Sequence, residues 1–414
     1  MELLHRGAAP KGNLRLYCVF LAATGFVLDR VVFLVYVGRH GLDVQQVALC
    51  EAMFQLAIVM FEIPTGWVSD RFGRKTSLMV GTSLLAAYNM GMLLVQGFAG
   101  YMGMMALCAF AYTFLSGSDN SLLYELVEAA RADAGGGTER NYLSYSSRAM
   151  AGQQIMLGVS ALFGALLASY SWTMLYLLMV GVYAAEFAML VVVKEPQAGR
   201  GAGGDPSRNR PGRVRPRTFA THWTTYAPAW VFAVFLAATA ALDMTAMGYA
   251  NSTQIIFAAS GIALPMIGLF SGSSRLANAG AYLLAGWLTK RFGRKAVLVG
   301  TLAAQSAAFV LLPLAAGSPM TLLSVSVMAL FLAEMLFIVV ESVTQDYLVN
   351  ATRARILSVI SMVRSLMGVA LYAVIGTTLK LWGVGVTLGV LAVMMLALTV
   401  AALAVAAQMR RMHE

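Results

Sequence analysis

Twelve runs of roughly twenty apolar residues, most of them separated by short polar connections, constrain this chain more than anything else in it. A bilayer core about 30 Å thick needs about 20 residues of helix to cross it. At that depth no water satisfies the backbone, so only helices and closed barrels span. A barrel requires alternation of apolar and polar residues, which these runs lack. The expected fold is therefore an all-α integral membrane protein with twelve transmembrane helices. Charged residues are only 12% of the chain, against about 25% in a soluble domain.

The runs place helices near 14–38, 44–68, 77–97, 101–128, 142–169 and 171–193. After a polar insert, they resume near 228–257, 264–288, 296–316, 320–348, 354–379 and 384–408. The net charge of +10 could suggest a nucleic-acid partner, but its distribution argues otherwise. Arg71, Arg74, Lys75, Arg131, Arg140, Lys290, Arg291, Arg294, Lys295, Arg353, Arg355, Arg410 and Arg411 fall on the side of Arg6, Lys11 and Arg15; only Arg39 and Lys380 fall opposite. This is the positive-inside pattern, and it puts both termini in the cytoplasm.

The insert from Lys194 to Thr221 is rich in Gly, Pro and Arg. Its seven basic and two acidic residues give +5. Such a segment buries no apolar surface and reads as a flexible cytoplasmic linker, with anionic lipid as a possible docking partner. The expected organisation is an N-terminal bundle over 1–193, a linker over 194–223 and a C-terminal bundle over 224–414. Cys18, Cys50 and Cys108 lie inside apolar runs and suggest neither a disulfide framework nor a metal site. No cofactor is expected.

The charged turn Gly66-Trp67-Val68-Ser69-Asp70-Arg71-Phe72-Gly73-Arg74-Lys75 returns 220 positions later as Gly286-Trp287-Leu288-Thr289-Lys290-Arg291-Phe292-Gly293-Arg294-Lys295. Each copy follows two apolar runs and precedes four more, so the chain is two halves of one design. Gly66 allows close helix approach, and Asp70 is a lone carboxylate among cations.

At Gly66, Asp70, Arg71, Gly73, Arg74 and Lys75 the sequence matches the loop signature of the Major Facilitator Superfamily, which the chain resembles over essentially its whole length. The resemblance implies two pseudo-symmetric six-helix bundles. Helices 1, 4, 7 and 10 then line a central cavity, with 3, 6, 9 and 12 outside. It also implies that these six residues form a cytoplasmic latch, Asp70 engaging the start of helix 11 near Arg353 to Ile356. Lys290 replaces the aspartate in the second copy, so an equivalent second latch is not implied.

The charges within the runs agree with that arrangement. Asp29, Arg30, Glu51, Glu62, Asp119, Glu125, Arg148, Asp243, Arg275, Glu334, Glu341 and Arg364 fall on helices 1, 2, 4, 5, 7, 8, 10 and 11. Helices 3, 9 and 12 carry none, and Glu186 on helix 6 breaks the pattern. A charge at bilayer depth costs about 2.5–3.5 kcal/mol on insertion scales, so these groups should face protein or water.

Asp29, Asp119, Asp243, Glu334 and Glu341 are the candidates for proton coupling, because a carboxylate withdrawn from water loads and releases protons as its surroundings change. The alternative is that Asp29 with Arg30, or Glu341 with Arg364, are buried pairs that hold helices together. Glu125 and Arg148 lie at similar depth on consecutive helices and are expected to form a structural ion pair. Arg275 has Asp243 as its nearest candidate partner by depth. Arg30, Tyr36, Tyr112, Tyr249, Arg275, Met335 and Arg364 are the candidates for lining the substrate cavity.

Neither a nucleophile with its base nor an added soluble domain is evident, which points to a transporter rather than an enzyme. The expected function is proton-coupled secondary transport by alternating access in the cytoplasmic (inner) membrane of a bacterium, by a functional monomer. Met-rich and aromatic walls suit export of a small amphiphilic compound by proton antiport. The alternative is a proton symporter importing a sugar, organic acid or other nutrient.

Overall fold

A computed structural model describes residues 10–132, 139–196, 229–347 and 353–411. The described residues form helices joined by short connections, with no strand among them. The helices are α1 (Pro10–Ala23), α2 (Phe33–Arg39), α3 (Val44–Phe72), α4 (Arg74–Leu94), α5 (Gly97–Leu115), α6 (Ser118–Ala132), α7 (Glu139–Tyr170) and α8 (Trp172–Val192). They continue with α9 (Ala229–Ala259), α10 (Leu264–Phe292), α11 (Arg294–Ala315), α12 (Pro319–Tyr347) and α13 (Arg353–Arg411). Most of the insert that reads as a linker lies outside the described residues.

Backbone contacts divide the chain into two compact units. One comprises Met1–Gln197 with Ile262–Leu276, the other Ala198–Gly261 with Ala277–Glu414. In the first, α3 and α4 pack on α5, α4 on α8, and α1 on α6 and α7. In the second, α9 packs on α13, and α11 on α12 and α13. Among the described residues, eight helical stretches are long and apolar enough to cross a membrane. One of them, Ile360–Val405, is 46 residues long, about twice what one crossing needs. It is interrupted at Gly383, whose φ of 77° is open to glycine and strained for other residues.

The expected first and fourth helices are each broken in two, and the expected eleventh and twelfth run together as α13, so the described residues form thirteen helices rather than twelve single spans. Helix 4 breaks into α5 and α6 at Ser116 and Gly117, where Gly117 takes a φ of 76°. The Ser118 hydroxyl beyond the break bonds those of Ser69 at 2.8 Å and Ser77 at 3.2 Å.

The first helix opens from Thr24 to Val32, and its freed backbone groups find partners in α7 and α8. The Ser160 hydroxyl donates to the Gly25 carbonyl at 3.3 Å, and the Leu28 N–H donates to the Met179 sulfur at 3.3 Å. The Asp29 carbonyl accepts from Val32 at 2.9 Å and Phe33 at 2.8 Å. Glycines bring the backbones together. A Cβ on Gly25 would lie 2.2 Å from the Gln153 carbonyl oxygen, and one on Gly164 would lie 2.1 Å from that of Leu28. Non-helical backbone at membrane depth is tolerated only where protein covers it in this way.

Candidate functional site

The break in the first helix delivers two ionisable side chains into the first unit. Asp29 is buried and accepts a hydrogen bond from the Tyr88 hydroxyl of α4, while one of its oxygens has no hydrogen-bond partner. Arg30 turns the other way, toward Glu51 of α3, at 3.2 and 3.3 Å from its two oxygens. Its guanidinium lies over the rings of Phe33 at 4.9 Å and Phe54 at 4.5 Å. Glu51 is only 1% exposed, so removing either partner would leave a charge buried without its counter-ion. Asp29 and Arg30 are thus neighbours in sequence whose hydrogen-bond partners come from different helices.

A second cluster forms in the other unit. The Arg364 Nε of α13 lies 3.3 Å from Asp243 Oδ2 of α9, and its guanidinium lies over Phe337 at 5.6 Å. Glu334 and Glu341 of α12 bear electrostatically on Asp243. Glu334 accepts a hydrogen bond from Asn278 Nδ2 at 3.0 Å. The acid and the arginine of the ion pair keep 21% and 28% of their side chains exposed, enough for water to reach both. Arg364 therefore takes Asp243 as its ion-pair partner rather than Glu341. Arg275 is exposed on α10.

The remaining candidates fall in several settings. Tyr36 is buried among Tyr101, Tyr176 and Trp172, with its hydroxyl donated to the Met92 carbonyl at 2.9 Å. Tyr249 is fully buried, its hydroxyl bonded to that of Ser326 and its ring edge-on to Phe309. Tyr112 meets Phe54 edge-on at 5.9 Å, one ring away from Arg30. Met335 is buried on α12. Asp119 sits in the first turn of α6, where its carboxylate accepts from the Asn120 N–H at 2.6 Å and complements the helix dipole.

The expected ion pair between Glu125 and Arg148 does not form. Arg148 is exposed, and Glu125 instead feels Arg74 and Glu195. Arg74 belongs to the charged turn, which Glu195 and the end of α8 secure. Glu195 Oε1 accepts the Arg74 N–H at 2.8 Å, capping α4, and lies against Gly73 at its φ of 96°. The Lys75 ammonium donates to the carbonyls of Val191 at 2.9 Å and Val193 at 2.7 Å. Asp70 pairs with Arg74 at 2.9 Å and is 68% exposed. Arg71 lies over the Trp67 ring at 5.2 Å. The side chains of Arg353 to Ile356, the expected partners of the latch, lie outside those described.

Glu51, Tyr88 and Glu195 were missed as site residues. Glu51 carries a signal in the sequence, a charge inside an apolar run, whereas Glu195 has only its place in a charged insert. Buried Glu186 of α8 has one oxygen without a hydrogen-bond partner.

Several apolar helices long enough to cross a bilayer, with acids and arginines paired inside each unit, define a polytopic membrane protein. The sequence profile of the Major Facilitator Superfamily matches residues 15–249. The chain belongs to that superfamily. Among solved structures it is similar to the nucleoside transporter NupG, with 16% identity, a TM-score of 0.69 and coverage of 96% of this chain and 98% of that one. It is also similar to the peptide transporter POT in complex with sulfate, with 15% identity, a TM-score of 0.71 and coverage of 97% and 95%. At such identities the likeness concerns the fold. Among curated proteins, none matches the sequence.

Proposed function

We propose that this chain is a proton-coupled secondary transporter working by alternating access, and that it exports a small amphiphilic organic compound by proton antiport. The observation that carries the reading is an acid–arginine cluster inside each unit, Asp29, Arg30 and Glu51 in one and Asp243, Arg364, Glu334 and Glu341 in the other. Protonation of an acid facing arginine weakens the pair and frees the cation, so proton loading and a change in helix contacts are linked. Asp119 is retained as a further candidate for proton loading. The direction rests on Tyr112 and the aromatic surroundings of Arg30, which suit a partly apolar compound.

The same reading assigns residues 1–193 and 224–414 to two bundles joined by a basic linker over 194–223. It places the protein in the cytoplasmic membrane as a functional monomer with both termini inside, and makes Asp70 the latch toward the start of the eleventh span. The test is a thermal-shift screen of purified protein at acidic and mildly alkaline pH, followed by proton flux into liposomes with each stabilising compound. A ligand specific for the folded state adds about 2.7 kcal/mol at 100 times its Kd. Lipophilic or cationic compounds that stabilise less as protons compete, and drive proton counterflow, support antiport. Sugars or organic acids that stabilise more at low pH would overturn it in favour of symport, and flux without proton movement would remove coupling altogether.

A further inference from the structure

The two copies of the charged turn lead into helix pairs that close differently. In the first unit, the Ser77 hydroxyl of α4 donates to the Phe114 carbonyl of α5 at 2.7 Å. One turn later, a Cβ on Gly81 would lie 3.0 Å from the Ala111 carbonyl oxygen, so the two helices touch backbone to side chain. At the positions 220 later stand Val297 and Thr301. Val297 has no hydroxyl to donate, and Thr301 spends its own on the Val297 carbonyl at 2.8 Å.

The second of these helix pairs still packs together, but a space opens beside it. A cavity of about 490 Å³ lies among α10, α11 and α12, lined by Leu284, Leu288, Phe292, Gly300, Phe331 and Met335 among others. Leu284 and Phe292 are also exposed, so it is open at the protein surface. A Cβ on Gly300 would meet nothing within 4 Å.

The rim at one end of this groove is basic. Phe292 lines the groove, and Lys290, Arg291 and Lys295 are exposed around it, with Arg291 lying over the rings of Trp287 at 5.3 Å and Phe292 at 5.6 Å. In the first unit, Asp70 and Glu195 answer the equivalent cations. Here Lys290 stands in place of the aspartate, and no acidic residue occurs in the sequence between Asp243 and Glu334. An apolar slot under a cluster of cations and a tryptophan is complementary to one kind of membrane component. We propose that this groove binds an anionic phospholipid, an acyl chain lying along Leu284, Leu288 and Phe331 and the phosphate resting on Lys290, Arg291 and Lys295.

The full-length protein, purified in detergent and exposed to equal amounts of phosphatidylglycerol and phosphatidylcholine, is read by native mass spectrometry. Wild type is expected to retain phosphatidylglycerol in preference. Replacing Lys290, Arg291 and Lys295 together by Gln should reduce that preference about tenfold or more, since attraction to anionic headgroups accumulates per basic residue. Gly300→Phe, which fills the slot and keeps every charge, should reduce retention of the same lipid, and Arg71→Gln in the other unit should not. Helical circular dichroism checks that each variant is folded, and either groove variant suffices if the other fails. Equal retention of the two lipids, undiminished retention in folded Gly300→Phe, or a dimer that shields the groove from added lipid would overturn the assignment.

Discussion

Arg30 lies beside Asp29 in the chain, yet it binds Glu51 on another helix at 3.2 Å and leaves Asp29 to the hydroxyl of Tyr88. The open backbone from Thr24 to Val32 makes this possible, because the two side chains can leave in different directions.

Glu51→Gln should destabilise the protein by about 3 kcal/mol or more, because it strands a cation that is three-quarters buried. A double replacement of Arg30 and Glu51 by Met should recover most of that loss while abolishing transport. Thermal melts and liposome flux on the same preparations check both halves. Transport at the wild-type rate in the double variant would mean the pair serves only to hold helices.

Gly164→Ala and Gly25→Ala should each cost more than about 3 kcal/mol, since their methyl groups would meet carbonyl oxygens of the facing backbone. Gly103→Ala, inside α5 with nothing within 4 Å, should leave the protein as stable as wild type or more stable by up to about 1 kcal/mol. Apparent melting temperatures in detergent distinguish them.

Asp70→Asn should leave stability within about 1 kcal/mol of wild type, because the pair with Arg74 is largely exposed. Glu195→Gln, which weakens the cap on α4, should cost about 1 kcal/mol. If Asp70 is the latch, its variant loses transport rate out of proportion to its small effect on melting, whereas Glu195→Gln changes both together. Initial rates of flux paired with melts provide the comparison.

Asp243→Asn should shift the pH profile of transport or abolish it, because Arg364 loses its partner on α9. A double-mutant cycle with Arg364→Gln is expected to show a coupling of about 0.5–3 kcal/mol in stability. A coupling near zero would mean that Glu334 and Glu341 satisfy Arg364 equally well.

The placement of most helices was legible because an apolar run bounded by charges has one reading at bilayer depth. The second helix, expected over 44–68, begins at Val44 but runs on through the charged motif to Phe72, so that only Gly73 separates it from α4. The break at Thr24–Val32 was not legible, because nothing in Phe26, Val27 and Leu28 opposes a helix. It depends on Gly25 meeting Gln153 and on Gly164 meeting Leu28, contacts between residues more than a hundred positions apart. The charged residues of the clusters were legible as a set, since a charge inside an apolar run stands out. Their pairing was not: depth along a helix suggested Glu125 with Arg148 and Asp243 with Arg275, but it carries no information about which way a side chain points around the axis.

The 46-residue stretch Ile360–Val405 is helical on either side of Gly383, and each arm is about as long as one crossing needs. The glycine thus fixes where one crossing ends and the next begins. An insertion at Gly383 would fall between two crossings, whereas the same insertion a few turns to either side would lengthen one of them.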